Sequence, residues 1–233
     1  MTEFVSGRRN LLMFAGTAGI GLAFAGAAAA KEEKKVGAVE DLMREHGVIR
    51  RALLVLAESA PLLRASPANV DPGALNRAAK LFRSFGQDYH ERMLEEAIVF
   101  PAVKKTGGLA ALLAGTLIQQ HNRGREIADY ILAVTGKGAV GSNETEALAR
   151  AFETLMVMYD NHTAREDTIV FPAWKDALGD EQLAEMGEKF EQIERRQFGK
   201  DGFTSAVAQV SAIEQTLNFA DLGKFTAPSP PKA

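Results

Sequence analysis

The 233-residue chain contains no cysteine. This removes disulfides, thiolate metal sites and cysteine nucleophiles together, and leaves only nitrogen and oxygen donors for any metal. An excess of either charge is also missing. The 27 basic and 30 acidic residues are well mixed and sum to −3, so there is no basic face of the kind that binding to nucleic acid needs. From Val39 onward no sustained alternation of period two occurs, so strands are not expected. Histidine is scarce, with four in all. What the chain does have is 46% hydrophobic and 24% charged residues, enough for one globular core of ordinary size.

Part of that apolar content belongs to the N-terminus. Arg8 and Arg9 precede an uncharged run from Leu11 to Ala30, rich in glycine and alanine, which ends at the charged run "KEEKK". This pattern reads as a secretory signal, and the paired arginines followed by Asn-Leu-Leu resemble the twin-arginine export signal. Residues 1–30 are therefore expected to be an export signal cleaved after Ala30, with the mature chain in the periplasm. The alternative is an inner-membrane anchor formed by residues 11–30. The membrane is expected to be met only through this segment.

Beyond it, apolar residues keep helical spacing and the domain reads as all-α. A first helix is expected over 39–64, with Leu42, His46, Ile49, Leu53 and Leu56 on one face and Pro61 as a possible earlier stop. A second is expected over 73–105, ended by "TGG", and a third over 109–134. A fourth should start at Asn143 or Glu144 and reach Leu178, with Pro172 tolerated as a kink or local tightening. Four long helices with short connections make an up-down-up-down four-helix bundle over 38–178. Two additional C-terminal helices (about 181–197 and 204–217, within an extension over 179–222) carry an apolar stripe for the outside of the bundle or for a homodimer partner. The tail, 223–233, is too rich in proline to pack.

Two stretches nearly repeat each other: "HERMLEEAIVFPAVKK" from His90 and "HTAREDTIVFPAWKD" from His162. His46, His90, His121 and His162 fall one on each main helix, on or beside an apolar stripe. Four buried imidazoles bring up to eight ring nitrogens, at about 1–3 kcal/mol for each left unpaired; a shared metal satisfies one nitrogen per ring. Glu166, four residues after His162, lies about 40° round the helix from it and can meet the same ion. The matching carboxylate in the first copy, Glu95, lies five residues after His90, about 140° away in a regular helix. Either a π-bulge absorbs the additional residue, or Glu91 faces the metal together with Glu95. Glu96 is expected to face solvent. Arg125 can pair with a carboxylate behind the ligands. Tyr89, Tyr130, Tyr159 and Trp174 read first as core packing.

Through "REHGVIRR", "YHERMLEEAIVFP", "QQHNRGRE" and "NHTAREDTIVFP" the chain resembles a hemerythrin-like (HHE cation-binding) domain over about residues 38–178. The resemblance implies a four-helix bundle holding two non-haem Fe ions, bridged by an oxo or hydroxo group. Carried over by position, His46, His90, His121 and His162 would be terminal ligands, and Glu95 and Glu166 the bridging carboxylates. Oxygen carriers of the family place two histidines four apart on the third helix. Here His121 is followed by Arg125, and Glu91 is the natural replacement, as in members that use four histidines and three glutamates. A carboxylate in place of an imidazole favours Fe(III), which weighs against simple O2 carriage.

The expected function is therefore binding of O2 or a related small oxidant at a diiron centre, for carriage, sensing or detoxification. The alternatives are a peroxide-decomposing or ferroxidase enzyme, an iron storage or sensing bundle, and a structural bundle with buried histidines. No further domain is expected beside the bundle, so a signalling role would need an outside partner.

Overall fold

A computed structural model of the protein describes residues 36–231; the export signal expected in residues 1–30 lies outside the described residues. Eight α-helices, two π-helical segments and two short 3-10 turns account for most of the described chain, and no strand occurs among the described residues. No helix there is long and apolar enough to cross a membrane.

The first rod of the bundle is α1 (Ala38–Ala65). Glu40 and Asp41 in its first turn and Arg64 in its last complement the helix dipole. Pro61 lies inside α1 and does not stop it. The second rod is continuous but changes pitch twice. It runs through α2 (Pro72–Leu81), a π segment (Phe82–Val99) and α3 (Phe100–Thr106). Its start is fixed by Asp71, whose carboxylate accepts the Gly73 N–H at 2.8 Å, and by Pro72, whose missing N–H costs nothing at that position. The chain then reverses at Gly107 and Gly108, both at positive φ, where any side chain would be strained. The third rod is α4 (Gly108–Thr135). The fourth comprises α5 (Thr145–Arg165), a second π segment (Glu166–Val170) and α6 (Phe171–Asp176). At Pro172 the helix has therefore widened just upstream, where a kink or local tightening was expected. The wide turn relieves the clash between a proline ring and the preceding carbonyls.

The rods pack α1 against α5, and α2 against both α1 and α4. Leu42, Leu53, Leu56, Phe82, Phe85, Leu94, Phe152 and Leu155 are fully buried between them, each contributing about 1.5–3 kcal/mol from its lost hydration. Two further helices, α7 (Asp180–Phe198) and α8 (Gly202–Thr216), lie on the outside of this bundle. Phe190 of α7 stacks on Trp174 at 5.8 Å, and Phe198 meets Phe85 and Tyr89. Arg51 of α1 binds Glu214 of α8 (Nε to Oε1, 2.8 Å) and Ser211. The tail is not wholly unpacked: Leu222–Phe225 forms one 3-10 turn, and the Phe225 ring lies 6.2 Å from that of Phe219.

Candidate metal centre

One histidine comes from each rod: His46 from α1, His90 from the first π segment, His121 from α4 and His162 from α5. All four are buried, and so are Glu95 and Glu166 at the middle. Each ring turns Nε2 inward. His90 Nε2 is 3.3 Å from Glu95 Oε1, and His121 Nε2 is 3.3 Å from Glu95 Oε2. His162 Nε2 and His46 Nε2 stand 3.0 and 3.4 Å from Glu166 Oε2, and His46 is also 3.8 Å from Glu95. Five residues separate His90 from Glu95, yet both side chains reach the same volume. The π ladder, in which the Phe100 N–H reaches back to the Glu95 carbonyl, gives the five-residue spacing one turn to close.

Every histidine is oriented from behind by an oxygen on Nδ1. His90 donates to Glu45 (2.6 Å), His46 to Asp167 (2.8 Å), His121 to Glu96 (2.9 Å) and His162 to the amide oxygen of Gln120 (2.9 Å). These bonds fix the tautomer, so the Nε2 lone pairs point at the centre. Glu45 also accepts from the Tyr89 hydroxyl at 2.9 Å. The four orienting residues went unassigned in the sequence, and Glu96 was expected in solvent. It is half-buried instead, bonded to His121 and to Arg125. The signal for them was adjacency. Each sits one position from a predicted ligand, about 100° round the helix, and so faces the histidine of a neighbouring rod.

Glu91 belongs to a side group with Glu96 and His121. One of its oxygens accepts from Tyr159 Oη at 2.6 Å and the other from Arg125 at 3.2 Å. Gly124 of α4 makes this possible, since a Cβ there would collide with Tyr159 Oη. Tyr159 and Tyr89 thus hold carboxylates of the site, whereas Tyr130 is partly exposed and Trp174 packs in the core.

The donor chemistry fits cations. Both oxygens of Glu95, both of Glu166, and His90 Nε2 are buried without a hydrogen-bond partner, a costly arrangement unless a positive charge lies among them. His121 and His162 bring their Nε2 atoms to 3.0 Å; with both Nδ1 atoms protonated, two lone pairs face each other unless a proton or a cation intervenes. Two donor groups surround the centre, His46–His90–Glu95 and Glu95–His121–His162–Glu166, and within each the donor atoms lie inside 4.8 Å of one another. Glu95 is common to both, and Glu166 touches a histidine of each.

Without a metal, protons compensate. Burial opposes the charging of His121, but Glu91, Glu95 and Glu96 raise its pKa to about 10. Burial and the neighbouring His121 charge push His162 down to about 3, so the two rings share one proton. Although burial works against it, the charge of His90 and the closeness of the His121, His46 and His90 rings hold Glu95 well below the usual carboxylate range. Burial and the charge on Glu95 push Glu166 well above it.

Residues 37–174 match the hemerythrin HHE cation-binding domain. Proteins of Mycobacterium tuberculosis (strains H37Rv and CDC 1551) and Mycobacterium bovis, each named only as an uncharacterized protein, are 41% identical over 197 residues, which is 84% of this chain and 76% of theirs. No solved structure matches the chain significantly.

Proposed function

The chain belongs to the hemerythrin HHE cation-binding family, and on that premise we propose that it holds two non-haem irons and binds O2 or a related small oxidant there. The observation that carries this reading is the pair of donor groups sharing Glu95. A nitrogen and oxygen donor set with shared carboxylates suits two irons. His46 and His90 would hold one and His121 and His162 the other, with Glu95 and Glu166 between them. Bound there, the irons supply one-electron redox steps and Lewis acidity toward a small oxidant. The protein's part is to orient the four imidazoles through Nδ1, to exclude water, and to keep aromatic walls round the centre. Phe100 stacks on His121 at 5.6 Å and Phe171 on His46 at 5.3 Å. Export of the folded chain by the signal in residues 1–30 would put this centre in the periplasm.

A second reading, decomposition of peroxide, is favoured by one feature. Tyr159 and Arg125 bring an O–H and a guanidinium to Glu91 beside the His121 position, where proton donors can assist cleavage of an oxidant. Elemental analysis of purified protein should find two irons per chain. Oxo-bridge absorption that disappears on removing O2 and returns with it supports binding, and rapid gas evolution from added peroxide supports the second reading. Protein that takes up no iron and keeps its fold refutes both.

A further inference from the structure

The two cation positions share Glu95 and Glu166 yet are backed by different chemistry. Behind the first stand two anions. Glu45 accepts from His90, and Asp167 accepts from His46. Neither carboxylate is paired with a lysine or an arginine; the other partner of Glu45 is the Tyr89 hydroxyl. Behind the second position the matching acceptors are Glu96, which is shared with the Arg125 guanidinium, and Gln120, a neutral amide. Glu91 stands beside this position, but its oxygens are taken by Tyr159 and the same Arg125. Counting charges behind and beside each pair of histidines, Glu45 and Asp167 give −2, whereas Glu91, Glu96 and Arg125 give −1. An anionic acceptor on Nδ1–H draws the proton and makes Nε2 a stronger donor; a neutral amide does so less.

We propose that this shell makes the positions unequal, so that His46 and His90 hold the tighter cation and His121 and His162 the more exchangeable one, with Glu45 and Gln120 as the positioning residues that set the difference. The inference rests on the two-cation reading above. Exchange of metal then belongs to the His121 side, which is also the side that carries Tyr159 and Arg125.

The test is an anaerobic titration of metal-free protein with Fe(II) against a competing chelator, with Mössbauer spectra at one and at two equivalents of 57Fe. The expected result is two steps and a single doublet at one equivalent. Outer hydrogen-bond partners typically change metal affinity about 10- to 100-fold, so Glu45→Gln should weaken the tighter step by about that factor and leave the other in place. Gln120→Glu lies at a half-buried position and tests the same idea with little risk to folding; it should strengthen only the weaker step and alter only the second doublet. The inference is overturned if the steps coincide in the unaltered protein, if Gln120→Glu strengthens the tighter step, or if Glu45→Gln weakens the looser one. Fewer than two cations per chain would overturn the two-cation reading itself, and the inference with it.

Discussion

Metal uptake should expel protons, and their sources follow from the site. Near pH 7, His121 with a pKa of about 10 is an imidazolium, and burial and the charge on Glu95 favour the neutral acid form of Glu166. Ligands must be deprotonated, so the His121 proton leaves, together with any proton that Glu166 holds. His46 and His90 are raised too and add to the count, whereas His162, lowered to about 3, is already neutral. Removing the His121 proton at pH 7 costs about 4 kcal/mol. The His121 proton alone should make the overall association constant for loading the site rise about tenfold per pH unit, and protons from Glu166, His46 and His90 should steepen the rise.

Stability of the metal-free fold runs the other way. A group whose folded pKa lies above its unfolded value stabilises fully below the unfolded value, and that contribution is lost as pH climbs to the folded one. For His121 the window runs from 6.5 to about 10, and Glu166 acts in the same direction from 4.5 upward. From about pH 6.5 to 9 the metal-free protein should therefore lose stability while cation binding strengthens, and the gap between the two melting temperatures should widen. The assay is chelator competition with redox-inert Zn2+ across this range, calorimetry in buffers of different ionisation enthalpy, and thermal melts of both forms. Affinity independent of pH, binding without proton release, or a metal-free protein that grows more stable over the window would each refute the reasoning.

Because Glu95 alone belongs to both donor groups round the centre, Glu95→Ala should lose both cations whereas His46→Ala keeps about one per chain; elemental analysis after desalting decides, and a Glu95→Ala protein with full occupancy would contradict the geometry. Tyr159→Phe removes a bond to a buried carboxylate and should cost about 1–3 kcal/mol in urea unfolding. Gly124→Ala should be comparably damaging alone but milder in the Tyr159→Phe background, because the Cβ collides with the hydroxyl; strict additivity would show that the notch does not serve the phenol. Phe190→Ala, at a fully buried ring stacked on Trp174, should cost about 3–5 kcal/mol and red-shift tryptophan emission; a cost under about 1 kcal/mol would mean that α7 adds little to the core.

Helical periodicity and terminator residues were enough to anticipate the rods, since Thr106–Gly108 and the glycine-rich run after Val134 break helices for local reasons. The single histidine on each rod pointed to the centre in the same way, and the additional residue between His90 and Glu95 pointed to a π segment. Its extent was hidden. The π ladder spans Phe82–Val99, and a second one follows Glu166, where the four-residue spacing from His162 gave no reason to expect any irregularity. The residues behind the histidines were hidden for a different reason. Glu45, Glu96, Gln120 and Asp167 act on rods other than their own, and periodicity along one helix says nothing about which neighbour it faces. Glu96 shows the error this invites, because a charge on the flank of a helix reads as solvated until a neighbouring rod supplies His121 and Arg125.

The doubled line has a physical cause in the wide turn. In each copy a central carboxylate is followed five residues later by phenylalanine, and the Phe N–H closes on the Glu carbonyl: Phe100 on Glu95, Phe171 on Glu166. An i to i−5 bond makes five residues one turn, so carboxylate and ring come to the same side of the rod. Each ring then stacks on a histidine from another rod, Phe100 on His121 and Phe171 on His46. Proline follows directly in both copies, where the ladder narrows again and an N–H is least needed. Glu, Phe and Pro at that spacing thus form one device, a carboxylate aimed at the centre with an aromatic wall one turn behind it. Two rods must each supply it because each shared carboxylate needs its own support. A histidine spacing of four or five before the carboxylate is tolerated for the same reason: the wide turn, rather than the count from histidine, sets the direction of the carboxylate.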